Sequence, residues 1–274
     1  MNKEYEKIKV AAASIQDKIP FKPDIAIVFG SGLTANIDGI EVVTKIPYNE
    51  IEGFPVSTVI GHVPELIFAN ISGKKCVIMG GRSHYYEHGN VNDSVFGIRL
   101  MKYLGAKHLI LTNAAGGINK SFKVGDIMII TDHISSFIKS PLIGANIEEF
   151  GTRFPSMSNA YDKGLIDILK ESAKKCGIDV REGVYVQTTG PQFETPIEIK
   201  MFRSLGADSV GMSTVMETIV GVHAGMKVCG LSTISNMAAD CDNAPNHEEV
   251  IEAGKVTSKK VGALLIDAIG NMEV

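Results

Sequence analysis

Short apolar runs alternate along this chain with longer stretches that place apolar residues at helical spacing. The strand candidates are IAIVFG (25–30), ELIFANI (65–71), KCVIMG (75–80), HLILTN (108–113), DIMIITD (126–132), VYVQTTG (184–190), DSVGM (208–212) and VCGLSTIS (228–235). Several are apolar on both faces, as expected of strands covered by helices on each side. Residues 4–17, 92–104 and 160–176 carry helical spacing, and Gly177 supplies a left-handed stop for the third. Thr195 and Glu198 form a capping box ahead of a helix over 195–206, with Pro196 in its first turn and Gly206 at its end. Thr214 and Glu217 repeat that spacing, and Asn246 and Glu249 do so with asparagine. A last helix over about 247–269 shows Val250, Val261, Leu264, Leu265 and Ala268 on one face. The pattern predicts an α/β layered fold, read as one domain over 1–274, with polar clusters where strands end.

Composition narrows the partners. The chain is 45% hydrophobic and carries a formal net charge of −4, which argues against a general nucleic-acid or anionic-membrane binder. Any anion site must then be local. No stretch is apolar for the ~18 residues that a membrane span needs, and the charged N-terminal segment does not read as a signal peptide. The four cysteines (Cys76, Cys176, Cys229, Cys241) form no CxxC pair, and three of them border apolar runs. Buried free thiols in a reducing, cytoplasmic setting are the expectation.

The chemistry concentrates in a few clusters. VFGSGL (28–33) leads an apolar strand into Gly-Ser-Gly, where amides and the Ser31 hydroxyl could meet an anion, or where the chain simply turns. GGRSHYYEHG (80–89) contains H-x-x-E-H, a zinc-peptidase spacing that needs a helix around it. The flanking glycines leave no room for an established one, and Arg82 is an awkward neighbour for a dication. An anion suits the mixture better. Arg82 offers a planar cationic fork, His84 donates or accepts beside it, and Tyr86 suits a sugar hydroxyl. A solvated loop with an Arg82–Glu87 pair is the plainer alternative.

TNAAGG (112–117) leaves little side chain in a ligand's way and suits backbone N–H donation, or a close-packed turn. TTGPQFET (188–195) brings Phe193 and Glu194 to a helix start, an aromatic and a carboxylate fit for a flat heterocycle with an N–H. VGMST (210–214) puts Met212 and Ser213 at another helix entrance, STISN (232–236) ends in Asn236, and PNHEEV (245–250) has His247 in a first turn. Each has a structural explanation of its own: a capped helix start, a turn former, a surface histidine. Together they describe a phosphate pocket joined to a heterocycle pocket.

In their order along the chain, GSGL (30–33), GH (61–62), GGRSHYYEHG, TNAAGG, RFPSMSNAYD (153–162), GPQFET (190–195), GMST (211–214), STISN and NHEEV (246–250) resemble the trimeric type of purine nucleoside phosphorylase, over about residues 5–270. The stretches GHVPEL (61–66) and NMAAD (236–240) depart from the family's usual sequence. The resemblance implies a central mixed twisted sheet flanked by helices. It implies that Ser31, His62, Arg82, His84, the Ala114 backbone and Ser213 hold phosphate. Tyr86, Met212 and His247 would contact ribose, with Phe154 reaching in from a neighbouring subunit of a homotrimer. Phe193, Glu194 and Asn236 would hold the purine, with His84, Glu194 and Asn236 as the catalytic set.

The implied reaction is reversible phosphorolysis of inosine, guanosine and their deoxy forms to free base and (deoxy)ribose 1-phosphate, a step of purine salvage. It calls for no metal and no organic cofactor, only inorganic phosphate as co-substrate. The near alternative is methylthioadenosine phosphorylase. A hydrolytic nucleosidase and a non-catalytic nucleoside binder are the further alternatives.

Overall fold

In the computed structural model, residues 2–30, 39–55, 57, 64–238 and 247–274 are described, with the side chains of 247–256 set aside. The apolar runs become strands: β1 (Ile25–Val28), β2 (Ile40–Pro47), β3 (Glu65–Ile71), β4 (Lys74–Met79), β5 (His108–Gly117), β6 (Ile127–Ile134), β7 (Val180–Gln187), β8 (Ser209–Gly211) and β9 (Lys227–Met237). The helices are α1 (Lys3–Ser14), α2 (Tyr85–His88), α3 (Val91–Leu104), α4 (Lys163–Lys175), α5 (Pro196–Ser204), α6 (Val215–His223) and α7 (His247–Asn271). The local signals act as read: Gly177 follows α4 at φ +67°. Thr195 and Glu198 close a capping box on α5.

The strands form one mixed sheet in the order β2-β3-β4-β1-β5-β8-β7-β6-β9, and β9 returns to pair with β5. Strands β4, β1, β5 and β9 are parallel neighbours, whereas β8 runs antiparallel to β5. Period-two alternation sends successive residues to opposite faces. Ile25, Ile27, Cys76, Ile78 and Ile110 join one core with Leu165, Leu169, Leu264 and Leu265 of α4 and α7. Ala26, Val28, Val77, Met79, Leu109 and Leu111 join the other with Ile8, Val95, Ile98 and Met216 of α1, α3 and α6. Both faces are therefore covered, which is why these runs are continuously apolar.

Two elements differ from the sequence reading. Strand β2 pairs antiparallel with β3 but is largely exposed, so its polar residues hide its strand character. The segment read as too tight for a helix makes a single turn, α2.

The feature that positions the site is on β5. One edge of β5 pairs with β1 only up to Leu111, and the same edge pairs with β8 only from Gly116. Among the described residues, no strand therefore pairs with 112–115 on that side, a gap in the ladder that Gly30 borders at Thr112 and Asn113. Because β8 is antiparallel, its C-terminal end runs back toward this gap and delivers Met212, Ser213 and Thr214 there.

Candidate active site

Arg82 follows the end of β4 and is 2% exposed. Its loop is fixed from behind by Tyr48, whose buried hydroxyl donates to the Gly81 carbonyl at 2.6 Å. Nη1 of Arg82 shares its two hydrogens among Ser213 Oγ at 2.7 Å, Thr214 Oγ1 at 3.1 Å and Glu217 Oε2 at 3.2 Å. Nη2 donates to the Thr112 carbonyl on β5. The arginine thus pairs across the molecule with Glu217, itself 3% exposed, and not with its near neighbour Glu87. Partners of this kind, aimed before a ligand arrives, are what a site needs to hold an oxyanion without reorganising.

The Thr112 carbonyl points into the gap. Residues two apart on a strand turn their backbone groups to the same side. The Ala114 amide is therefore turned into the gap as well. The sequence reading ended this strand at Asn113, but residues 114–117 also lie within β5 and pair with β9, with a register shift between Ala115 and Gly116. Their exposed amide comes from a missing neighbour strand on the other edge. Gly30 is a further correction. Its amide donates to Thr112 Oγ1 at 2.8 Å, so it is occupied within the fold. A side chain there would come within 2.7 Å of the Asn113 Cα, and that close approach requires glycine.

Glu87 has a different task. Its Oε1 accepts from the His84 backbone amide at 2.7 Å and lies 3.0 Å from His84 Nδ1. Nδ1 is thus committed to the Glu87 carboxylate. The His84 ring stacks on Tyr86 at 4.9 Å between centroids and 14° between planes. Burial pushes the Tyr86 phenol up to about 12, so it stays a neutral donor. Tyr86 and Met212 meet at Gly190, where a side chain would collide with the Met212 sulfur and come within 3.2 Å of Tyr86.

Four residues beyond Gly190 is Glu194. Its Oε1 accepts from Thr188 Oγ1 at 2.9 Å. Burial raises its carboxyl above the ordinary value, opposed by bonds from its own backbone and from Thr188. Phe193 is 41% exposed at the mouth. Asn236 sits opposite Gly116 in the β5–β9 register. Its Oδ1 accepts from Ser235 Oγ at 2.9 Å, and its amide nitrogen donates to the Met237 carbonyl at 3.4 Å.

Within the chain, Arg82 and Ser213 come together, as do His84, Tyr86 and Met212, and strand parity turns the Ala114 amide to the same side of β5 as the Thr112 carbonyl that Arg82 meets. Phe154 stands apart, 85% exposed, with Arg153 over its ring at 5.6 Å. Ser31 and His62 lie outside the described residues, and of His247 only its place at the start of α7 is described. Thr112, Asn113, Thr188 and Gln187 were not singled out by sequence reasoning. Gln187 accepts from the Val215 and Met216 amides at 2.9 and 3.1 Å and so fixes the start of α6. Thr112, Asn113 and Gln187 act through partners distant in the chain, which leaves no local signal, whereas Thr188 pairs with Glu194 only six residues on. Among the described residues no group of three or more His, Cys, Asp or Glu is arranged to hold a metal ion.

Residues 24–270 match the family described as the phosphorylase superfamily. The chain is 51% identical over 257 residues to purine nucleoside phosphorylase 1 of Geobacillus stearothermophilus, covering 93% of this chain and 92% of that one. Among solved structures it resembles the Schistosoma purine nucleoside phosphorylase in complex with hypoxanthine, at 39% identity and a TM-score of 0.92, covering 98% of both chains. The Schistosoma mansoni enzyme in complex with adenosine is as similar, at 39% identity, a TM-score of 0.92 and the same coverage.

Proposed function

This chain belongs to the phosphorylase superfamily and is a purine nucleoside phosphorylase; from that premise we propose that it takes inosine, guanosine and their deoxy forms, with inorganic phosphate as co-substrate. The observation that carries the reading is the buried Arg82 bonded to Ser213 at the gap into which the Ala114 amide is turned. A tetrahedral anion there would receive a cationic fork, a hydroxyl and a backbone amide. Ser31 and His62 complete that subsite in our reading, with His84, oriented by Glu87, beside it.

Phosphate under the sugar stabilises the positive charge that develops as the C1′–N9 bond loosens. One phosphate oxygen then bonds to C1′, and the bond's electron pair leaves on the purine. The base leaves neutral once N7 takes up one proton, a gain matched by the proton that HPO4²⁻ gives up as the ester forms. Asn236 accepts a hydrogen bond from N7–H and donates one to O6. Such a bond, made where charge develops, is worth about 3 kcal/mol in the transition state. Glu194 has one oxygen on Thr188, and the other accepts from N1–H. Inosine and guanosine carry that hydrogen. Adenosine presents a lone pair there, so an ionised carboxylate repels it. Phe193 packs on the base, and Tyr86, Met212 and His247 contact the ribose.

Phe154, so exposed on its own chain, completes the ribose side of a neighbouring copy's site, and the active form is a homotrimer. Cys76 and Cys229, both buried free thiols, fit a cytoplasmic setting. The domain is a single one over 1–274. Incubation with inosine, with and without phosphate, tests the reaction. Hypoxanthine and ribose 1-phosphate are expected only when phosphate is present. Hypoxanthine release without phosphate would mark a hydrolase, and binding without release a non-catalytic protein. Faster turnover of adenosine or methylthioadenosine than of inosine would overturn the 6-oxopurine preference.

A further inference from the structure

The residue after Ser213 is held in a conformation that its type avoids. Thr214 has φ +83° and ψ −47°, and the Val215 amide donates across it to the Ser213 carbonyl at 3.0 Å. This is a γ-turn of positive φ, a rare and strained geometry, on a β-branched residue that is fully buried. Glycine would take the position without strain. The fold instead surrounds the threonine with bonds. Its amide donates to Glu217 Oε2 at 2.6 Å, and its carbonyl accepts from Thr218 Oγ1 at 2.9 Å. Its hydroxyl oxygen accepts from Asn113 Nδ2 at 2.8 Å and from Arg82 Nη1 at 3.1 Å. Strain that persists under this many constraints points to a use for the side chain.

The use follows from counting protons. A hydroxyl has two lone pairs and one hydrogen. Arg82 Nη1 has two hydrogens. With one on Ser213 and one on Thr214, Glu217 Oε2 is held by charge and by the Thr214 amide, and both lone pairs of Thr214 Oγ1 are met, by Asn113 and by Arg82. The threonine's hydrogen must go to an acceptor, and Ser213 Oγ is 3.2 Å away. Ser213 Oγ also accepts from Arg82 Nη1 at 2.7 Å. Its own lone pairs are then filled in turn, and only its hydrogen is left to offer.

We infer that Thr214 is a positioning residue that makes Ser213 a donor only, by spending both of the serine's lone pairs inside the protein so that its proton is presented to the oxyanion. A phosphate dianion, HPO4²⁻, has three unprotonated oxygens and one P–OH, and a serine whose lone pairs are already filled meets those oxygens as a donor without having to reorient. Asn113 sets the direction of the chain of hydrogens, and Glu217 holds the turn. This rests on the reading that Arg82 and Ser213 bind phosphate.

Steady-state kinetics of the full chain, varying phosphate at saturating inosine and the reverse, test it through Thr214→Gly, Thr214→Ser, Ser213→Ala and the Ser213→Ala/Thr214→Gly pair. Thr214→Gly is expected to raise the phosphate KM about 10-fold, with the inosine KM within two-fold and the melting temperature unchanged or higher. Thr214→Ser keeps the hydroxyl and should keep the phosphate KM. The double variant should be no worse than Ser213→Ala alone, because one residue works through the other. Thr214→Ala in the same cycle serves where Thr214→Gly fails to fold. A phosphate KM within two-fold for the hydroxyl-free variants, or effects that multiply in the double variant, would overturn the inference. If Ser213→Ala and Arg82→Lys both leave the phosphate KM unchanged, it is the phosphate reading itself that fails.

Discussion

The two ends of the site are built on opposite principles. At the end proposed for phosphate, Arg82, Thr214 and Glu217 are all buried and joined in one network that ties β4, β5 and α6 together. At the base end, Phe193 is 41% exposed and Glu194 and Asn236 are half-buried, each with few bonds made nearby in the chain. The first end is part of the core, and its geometry is a by-product of folding. The second is a more open rim whose bonds among the described residues are few and local. Substitutions at the first should therefore damage fold and chemistry together, while those at the second should separate them.

Arg82→Ala is the largest break. It is expected to reduce phosphorolysis by about a thousand-fold or more, and it strands the Glu217 carboxylate in the interior. Losing one partner of a buried pair costs about 3–5 kcal/mol, which thermal unfolding would register as a clear fall in Tm. Adding Glu217→Gln should restore part of the stability and none of the turnover. A stable Arg82→Ala protein would show that the end is not core at all.

Next comes Asn236→Ala, expected to lower kcat/KM for inosine by about 100-fold with little change in Tm. A loss below a few-fold removes Asn236 from the chemistry. Smaller again is Glu194→Gln, expected to lower kcat/KM for inosine by about 10-fold and to change its pH dependence. Burial raises the Glu194 carboxyl, and recognition of N1–H needs the ionised form. Activity is then present above the raised value and lost as pH falls through it, at a pH above the ordinary carboxylate range of about 4.3. That acid limb should vanish in Glu194→Gln, measured with phosphate saturating at each pH. The smallest effect is expected from Thr188→Val. It removes a hydrogen bond that opposes the upward shift, so the acid limb should move to higher pH and kcat/KM near neutrality should fall by about five-fold or less.

Much of the fold is legible in the chain because its strands are covered on both faces and need no alternation to announce them. Strand β2 is not, since Val42 and Val43 are exposed at the sheet's edge among charged neighbours. The site is legible as clusters but not as pairs. The spacing of Thr214 and Glu217 marks a helix start, and the capping box is there. The same carboxylate's bond to Arg82, 135 residues away, leaves no local trace. Likewise Glu87, five residues beyond Arg82, belongs to His84. The roles given to His62, Phe154 and His247 came from resemblance to a family and from no local signal.

The gap on β5 has a consequence for heredity of the site. Which amide looks into the opening is decided by strand parity, not by any polar residue. One residue inserted ahead of Thr112 would rotate every backbone group by half a turn, offering a ligand the wrong peptide and withdrawing the carbonyl that Arg82 leans on. The apolar run HLIL thus carries a message about anion capture, written in its length.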